Sequence, residues 1–287
     1  MRAARAWTMR YAGHLGLRAP DEPLFRWSAR SADPVDQIGF LAEQGFAGVQ
    51  DSFTKLRPVA EQERIGREMR RLGLAMGCFT NNPLAWNKPL WSSRAADARA
   101  MLKRDLSSSI DAARRVGGSV ATCVTGLDDQ APRDRQIAGM IDNLKELAEP
   151  AAAAGLVLGI EAVARAWIPG LLVDRIEDAL FIVKSVGHPA VRLTFDIAHI
   201  EMSGDDGLAW LERCWDWIVA VQLADMPAEG LGRIDLGAGR LDWPAILRCI
   251  SERGWSGLLE LEHMPMEESA AGEEKLLERL RAVDAAV

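Results

Sequence analysis

The chain is 287 residues long, 48% hydrophobic and 26% charged, with a formal net charge of -7. That length admits two modest domains or one large barrel with a sizeable core, and the composition excludes a fibrous, low-complexity or disordered chain. The acidic balance argues against a nucleic-acid groove, which needs clustered basic residues to neutralise phosphates.

The opening MRAARAWTMRYAG is basic but has neither an apolar stretch nor a small-residue cleavage site, and no long apolar run follows anywhere. Cys78, Cys123, Cys214 and Cys249 are scattered, without CxxC or metal-ligand spacing. Free thiols in a reducing cytoplasm, no disulfide and no membrane segment are therefore expected.

Short apolar runs then alternate with stretches of helical periodicity, the pattern of parallel strands joined by helical crossovers. Strands are predicted at 9–16, 47–51, 74–80, 119–125, 156–163, 191–197, 218–224 and 257–263. Helices are predicted near 34–44, 58–72, 94–115, 133–154, 174–186, 206–213, 242–252 and 267–284. Asp33-Pro34 and Asp242-Trp243-Pro244 each supply a capping side chain with proline in the first turn. Gly45, Gly73, Gly117, Gly155, Gly187 and Gly254 stand where a helix ends in a left-handed residue. In helix 133–154, Ile137, Met140, Ile141, Leu144, Leu147 and Ala148 form one apolar stripe for the core. The expected fold class is α/β, a single (β/α)8 TIM barrel spanning residues 1–287. A doubly wound open sheet is the alternative, but no GxGxxG turn follows an early strand, and GCFTNNP and VTGLDDQ are poor phosphate loops.

Four of the later strands end in an oxygen-bearing side chain: Glu161 in LVLGIEAV, Asp196 in VRLTFDIAH, Gln222 in IVAVQLAD and Glu262 in GLLELEH. Their intervals of 35, 26 and 40 residues are each about one strand-helix unit, so successive parallel strands can aim them at one point. Such a cluster cannot stand empty and fully ionised. At about 4 Å and an effective dielectric near 20, each like-charge pair costs roughly 4 kcal/mol. Protons or a cation must be present, and an all-oxygen set favours one hard divalent ion, Mg2+ or Mn2+, with Co2+ or Zn2+ also admissible. A 2-hydroxy carbonyl compound chelating that ion would have a polarised carbonyl and an acidified C–H. One glutamate then removes a proton and the other returns it, to the neighbouring carbon in isomerisation or to the opposite face in epimerisation, through an enediolate held by the cation.

His199, three residues after Asp196, is expected near the metal but outside its coordination, as a hydrogen-bonding partner for substrate. Arg233, in GLGRIDLGAGRLDW, lies in a glycine-rich connection long enough to fold over the mouth, where its fork can hold substrate oxygens; Gly237 and Gly239 allow a tight approach to the next helix. His14 is a weaker candidate, His188 reads as structural or exposed, and His263 is expected to point away from Glu262. Trp86, Trp91 and Trp167 fall in loops at the catalytic face, where they either wall a sugar-like ligand or anchor long loops or a subunit contact in a homo-oligomer.

At these residues the chain resembles the xylose-isomerase-like barrel superfamily of sugar and sugar-phosphate isomerases and epimerases, in particular hydroxypyruvate-isomerase-like proteins. GIEAV is similar to the family's strand-5 glutamate motif, DIAH to its Asp-x-x-His, VQLADMP to a segment supplying a glutamine ligand, RIDLGAG to its arginine-bearing loop, and GWSGLLELEH to its strand-8 glutamate. The resemblance implies Glu161, Asp196, Gln222 and Glu262 as metal ligands, Glu161 and Glu262 as the acid-base pair, and His199 and Arg233 as substrate contacts. Two positions depart from the pattern: Ile168 in WIPGLLV replaces a polar group, and Gln50 stands where a glutamate is common.

The functions that follow are a divalent-metal isomerase or epimerase of a small hydroxy-carbonyl or sugar substrate, with a lyase or dehydratase of a keto-sugar or keto-cyclitol, or a non-catalytic sugar-binding barrel, as alternatives. Phosphodiester cleavage would call for a histidine-rich multi-zinc site, and four histidines with a net charge of -7 speak against it.

Overall fold

Residues 7–287 are described in this computed structural model, and along them short strands alternate with helices. The first half carries β1 (Tyr11–His14), α1 (Pro34–Glu43), β2 (Gly48–Gln50), α2 (Val59–Leu72), β3 (Ala75–Met76), β4 (Phe79–Thr80), α3 (Ala96–Val116), β5 (Val120–Cys123) and α4 (Arg133–Ala153). The second half carries β6 (Val157–Glu161), α5 (Ile176–Val186), β7 (Val191–Asp196), α6 (Ile197–Met202), α7 (Gly207–Cys214), β8 (Ile218–Leu223), α8 (Trp243–Glu252), β9 (Leu259–Leu261) and α9 (Ala270–Asp284).

One hydrogen-bonded series runs β3-β2-β1-β9-β8-β7-β6-β5-β4, and every paired neighbour is parallel. β3 pairs with β2 while β4 pairs with β5, and only Gly77 and Cys78 separate them. They are the two halves of one stave, so the ring closes there and the expected eight-stave TIM barrel results. The interruption has a cause on the inner face. A Cβ at Gly77 would lie 2.5 Å from Glu260 Oε1, and that same oxygen accepts the Cys78 backbone N–H at 2.9 Å. An interior carboxylate thus takes a donor that an unbroken strand would give to its neighbour.

The sequence punctuation is realised in detail. Asp33 accepts from the Val35 N–H at 2.8 Å and Asp242 from the Ala245 N–H at 3.0 Å, each capping a helix. All six glycines expected after helices have positive φ. In α4, Met140, Leu144, Leu147 and Ala148 are buried, with Ile137 and Ile141 packed at the edge of the same core. That core fills the shell between strands and helices, while the inner face of the barrel is markedly polar: Thr122 and Thr194 meet at 3.1 Å over Gly159. The chain ends are tied together as well, because Asp284 at the end of α9 accepts the backbone N–H groups of Thr8 and Met9 at 2.8 and 3.0 Å.

One feature differs from expectation, and for Trp91 one of the two alternatives is decided. The segment after Asp196 is a short helix, α6, rather than an open loop, and Asp196 caps it by accepting the His199 N–H at 3.0 Å. Trp91 does not wall a ligand cavity: it is fully buried and anchors its loop, with its backbone N–H on Thr125 Oγ1 at 3.2 Å.

Candidate active site

Strand register brings the four strand-end groups onto one face. Glu161 pairs with Thr194, two residues before Asp196; Asp196 pairs with Gln222; and Gln222 pairs with Glu260, two residues before Glu262. Every offset is even, and since strand side chains alternate with period two, all four point into the barrel. Glu161, Asp196 and His199 bring one ligand-type atom each within 4.8 Å of one another, a spacing that could hold a metal ion.

The loop after β8 supplies the opposing charge. Arg233 Nη2 donates to Asp196 Oδ2 at 2.5 Å and to Glu262 Oε2 at 2.6 Å, while Nε donates to the Glu262 carbonyl at 2.6 Å. Its Nη1 lies 3.0 Å from His199 Nε2. A guanidinium is only a donor, so Nε2 must accept and the imidazole is neutral with its proton on Nδ1. Arg233 was expected to hold substrate at the mouth; instead its fork is committed to the protein's own carboxylates. His199, expected near the metal, lies beside the cluster, with Nε2 3.7 Å from Glu161 Oε1.

Burial and mutual repulsion divide the protons unevenly. Burial, reinforced by Asp196 and opposed by Arg233, pushes Glu161 up to about 8. Burial raises Glu262 well above the usual carboxylate range, with Arg233 opposing and Asp196 and Glu161 adding. For Asp196 burial acts upward too, but Arg233 and then His199 outweigh it and hold the carboxyl below its ordinary value. Burial lowers His199 to about 4, aided by Arg233, which agrees with the neutral ring. Of the three carboxyls facing one guanidinium, the two glutamates therefore hold a proton more strongly than Asp196 does.

Two residues that pattern reading did not single out build this arrangement. Asp225, fully buried after β8, accepts from the N–H groups of Met226 (2.7 Å), Gly237 (3.0 Å) and Gly239 (2.9 Å), and pairs antiparallel with Ile234. It thereby folds the loop back so that Arg233, next to Ile234, enters the barrel. Gly239 is required there, since a Cβ would sit 2.0 Å from the Met226 carbonyl. Below the site, Glu260 accepts from Cys78 Sγ at 2.8 Å, and burial, opposed by its bonds to Cys78 and Gln222, lifts it to about 7. The only local signal for either residue was a second acidic side chain near a strand end.

A cavity of about 560 Å3 opens above the cluster. Its floor includes Glu161, His199, Arg233 and Glu262, and Trp86, Trp167, Phe53 and Ile168 contribute to its walls. A larger groove of about 1060 Å3 lies beside α3, but none of the cluster borders it, so it is not where the chemistry converges. Of the remaining histidines, His263 is among the residues that border the cavity, and its Nδ1 lies 3.7 Å from Asp235. His14 is wholly buried, with Nε2 on the His263 carbonyl at 3.0 Å, and His188 holds its own turn through the Ala190 N–H at 3.1 Å.

The profile of the xylose isomerase-like TIM barrel family matches residues 38–283. The chain belongs to this family. Among xylose isomerase-like relatives it is 26% identical to the 2-oxo-tetronate isomerase of Cupriavidus necator over 244 residues, covering 83% of this chain and 90% of that protein. It is 24% identical to the hydroxypyruvate isomerase of Escherichia coli over 168 residues, covering 58% of this chain and 64% of that protein. Among solved structures, the E. coli 3-keto-D-glucoside 4-epimerase superposes with a TM-score of 0.75 at 18% identity, covering 96% of this chain and all of that one. That likeness speaks for the barrel fold. No helix among the described residues is long and apolar enough to cross a membrane.

The donor set would suit a hard divalent ion. Carboxylate oxygens dominate it, and Gln222 Oε1 is buried without any hydrogen-bond partner while its Nε2 is occupied by Glu262 Oε1 at 2.8 Å. An amide oxygen left bare in a charged interior is a vacant acceptor for a cation.

Proposed function

We propose that this protein is an isomerase or epimerase of a small hydroxy-carbonyl or sugar compound, dependent on one divalent ion, Mg2+ or Mn2+, and acting as one catalytic unit along its length. The observation that carries this reading is the convergence of Glu161 and Glu262 on the floor of one cavity, from staves that flank those of Asp196 and Gln222. The similarity to a 2-oxo-tetronate isomerase and a hydroxypyruvate isomerase supports a small oxo-acid or sugar-like substrate.

Glu161, Asp196 and the bare Gln222 Oε1 would hold the ion; Glu262, expected as a fourth ligand, has Oε1 taken by the Gln50 and Gln222 amides and Oε2 by Arg233. When bound, it polarises a substrate carbonyl and acidifies the adjacent C–H. One of the two glutamates, whose burial strengthens its hold on a proton, accepts that proton. The other returns one, and which carbon or face receives it decides between isomerisation and epimerisation. Arg233 and His199 border the cavity, and the guanidinium charge would stabilise the negative charge that develops on substrate oxygens there. Trp86 and Trp167 present apolar faces to C–H surfaces and limit water.

The test is a metal-supplemented panel of hydroxy-carbonyl compounds in deuterated water, followed for label at carbon. Glu161→Gln and Glu262→Gln should abolish exchange with folding intact, and wild-type exchange in both variants would refute the acid-base assignment. Product mass separates the classes: isomerisation leaves it unchanged, whereas loss of water would mark a lyase.

A further inference from the structure

Two amides converge on one oxygen of Glu262. Gln222 Nε2 donates to Oε1 at 2.8 Å, and Gln50 Nε2 donates to the same Oε1 at 3.1 Å. Oε2 accepts from Arg233 Nη2, a donor it shares with Asp196. Gln50 ends β2, and β1 lies between β2 and β9 in the ring, so it reaches Glu262 across a whole stave. It is 1% exposed and does not border the cavity. Its second N–H goes to Ser52 Oγ at 3.1 Å, so both amide protons are used and its orientation is set; a flipped amide would turn its oxygen onto a carboxylate oxygen.

We infer that Gln50 is a positioning residue for proton transfer: together with Gln222 it occupies Oε1 of Glu262 and leaves Oε2 as the oxygen that exchanges a proton with substrate. In that step the substrate C–H bond breaks, its electron pair stays on the substrate, and the proton forms the new O–H bond at Oε2. An oxygen already accepting two N–H bonds has no lone pair free in the right direction, and a carboxylate held by two donors cannot rotate out of line. The inference rests on the acid-base role proposed for Glu262, so its test also includes a measurement that needs no turnover.

Gln50→Met removes the donor at similar volume, and Gln50→Asn keeps an amide but draws it back by one methylene. Both should lower kcat about ten- to a hundredfold through misalignment, with KM and Mn2+ affinity, read by electron paramagnetic resonance, close to wild type. A direct substrate contact would raise KM instead, and a purely structural role would lower the melting temperature with kcat unmoved; either result overturns the inference. In full-length protein labelled with 15N-glutamine, Glu262→Ala should move the side-chain amide resonances of both Gln50 and Gln222. Movement of Gln222 alone would overturn the inference even if the wild-type protein turned over no compound in the panel, an outcome that would count against the proposed function separately.

Discussion

Arg233 Nη2 lies 2.5 Å from Asp196 Oδ2 and, through the same nitrogen, bridges to Glu262, so one guanidinium joins carboxylates from β7 and from the segment after β9. Removing one partner of a buried ion pair leaves uncompensated charge and costs about 3–5 kcal/mol. Arg233→Met should therefore lower the unfolding free energy of chelator-treated protein in urea by that order, and added Mn2+ should restore most of the loss, because a divalent ion can neutralise the same cluster. An unchanged unfolding free energy in chelator would show that the guanidinium does not balance these carboxylates.

The metal assignment is tested by content rather than by rate. Elemental analysis after dialysis should find about one divalent ion per wild-type chain, and Asp196→Ala should weaken binding by at least the roughly 10–100-fold that even outer partners of a metal contribute. Equal stoichiometry in the two proteins would contradict Asp196 as a ligand.

Acid should destabilise the fold through His14. Burial lowers this imidazole from 6.5 to about 4, with Arg233 and Arg18 acting in the same direction against the bond to the His263 carbonyl. The unfolded chain then binds the proton that the folded one refuses, so stability is full above the unfolded value and is lost as pH falls from about 6.5 toward 4. Between pH 7 and pH 5 the loss amounts to about 2 kcal/mol from this residue. Urea unfolding at the two pH values, compared with His14→Gln, should show a shallower dependence in the variant; parallel profiles would rule His14 out as the source.

Two helical glycines should respond oppositely to alanine. A Cβ at Gly66 in α2 would lie 1.9 Å from the Arg115 carbonyl of α3, so the helices must separate, whereas a Cβ at Gly39 in α1 meets nothing within 4 Å. Gly66→Ala should destabilise by about 1–3 kcal/mol despite the better helix former, and Gly39→Ala should stabilise by about 0.5–1 kcal/mol. The same sign for both in urea unfolding would contradict the close α2–α3 contact.

Much of this barrel was legible from local pattern. Each predicted strand contains or overlaps an observed one, Asp33 and Asp242 cap as expected, and the glycines after helices take left-handed conformations. These features depend on neighbours within a few residues, which a one-dimensional pattern records. The recurrence of Glu161, Asp196, Gln222 and Glu262 at strand ends, each about one strand-helix unit after the last, likewise suggested their convergence, because the strand period fixes which way a side chain faces.

What the tertiary structure alone decided is every relation whose partner lies far along the chain. Gln50 meets Glu262 across 212 residues, and Glu260 reaches Cys78 across 182 and splits the third stave into two short strands. Asp225 turns the arginine loop inward, so Arg233 joins the carboxylates rather than waiting at the mouth, and Trp91 vanishes into the core. Alternating apolar and polar residues determine that a barrel forms and which ends carry oxygen; only closure of that barrel brings distant side chains to within hydrogen-bonding distance, and there charge and desolvation choose the partners.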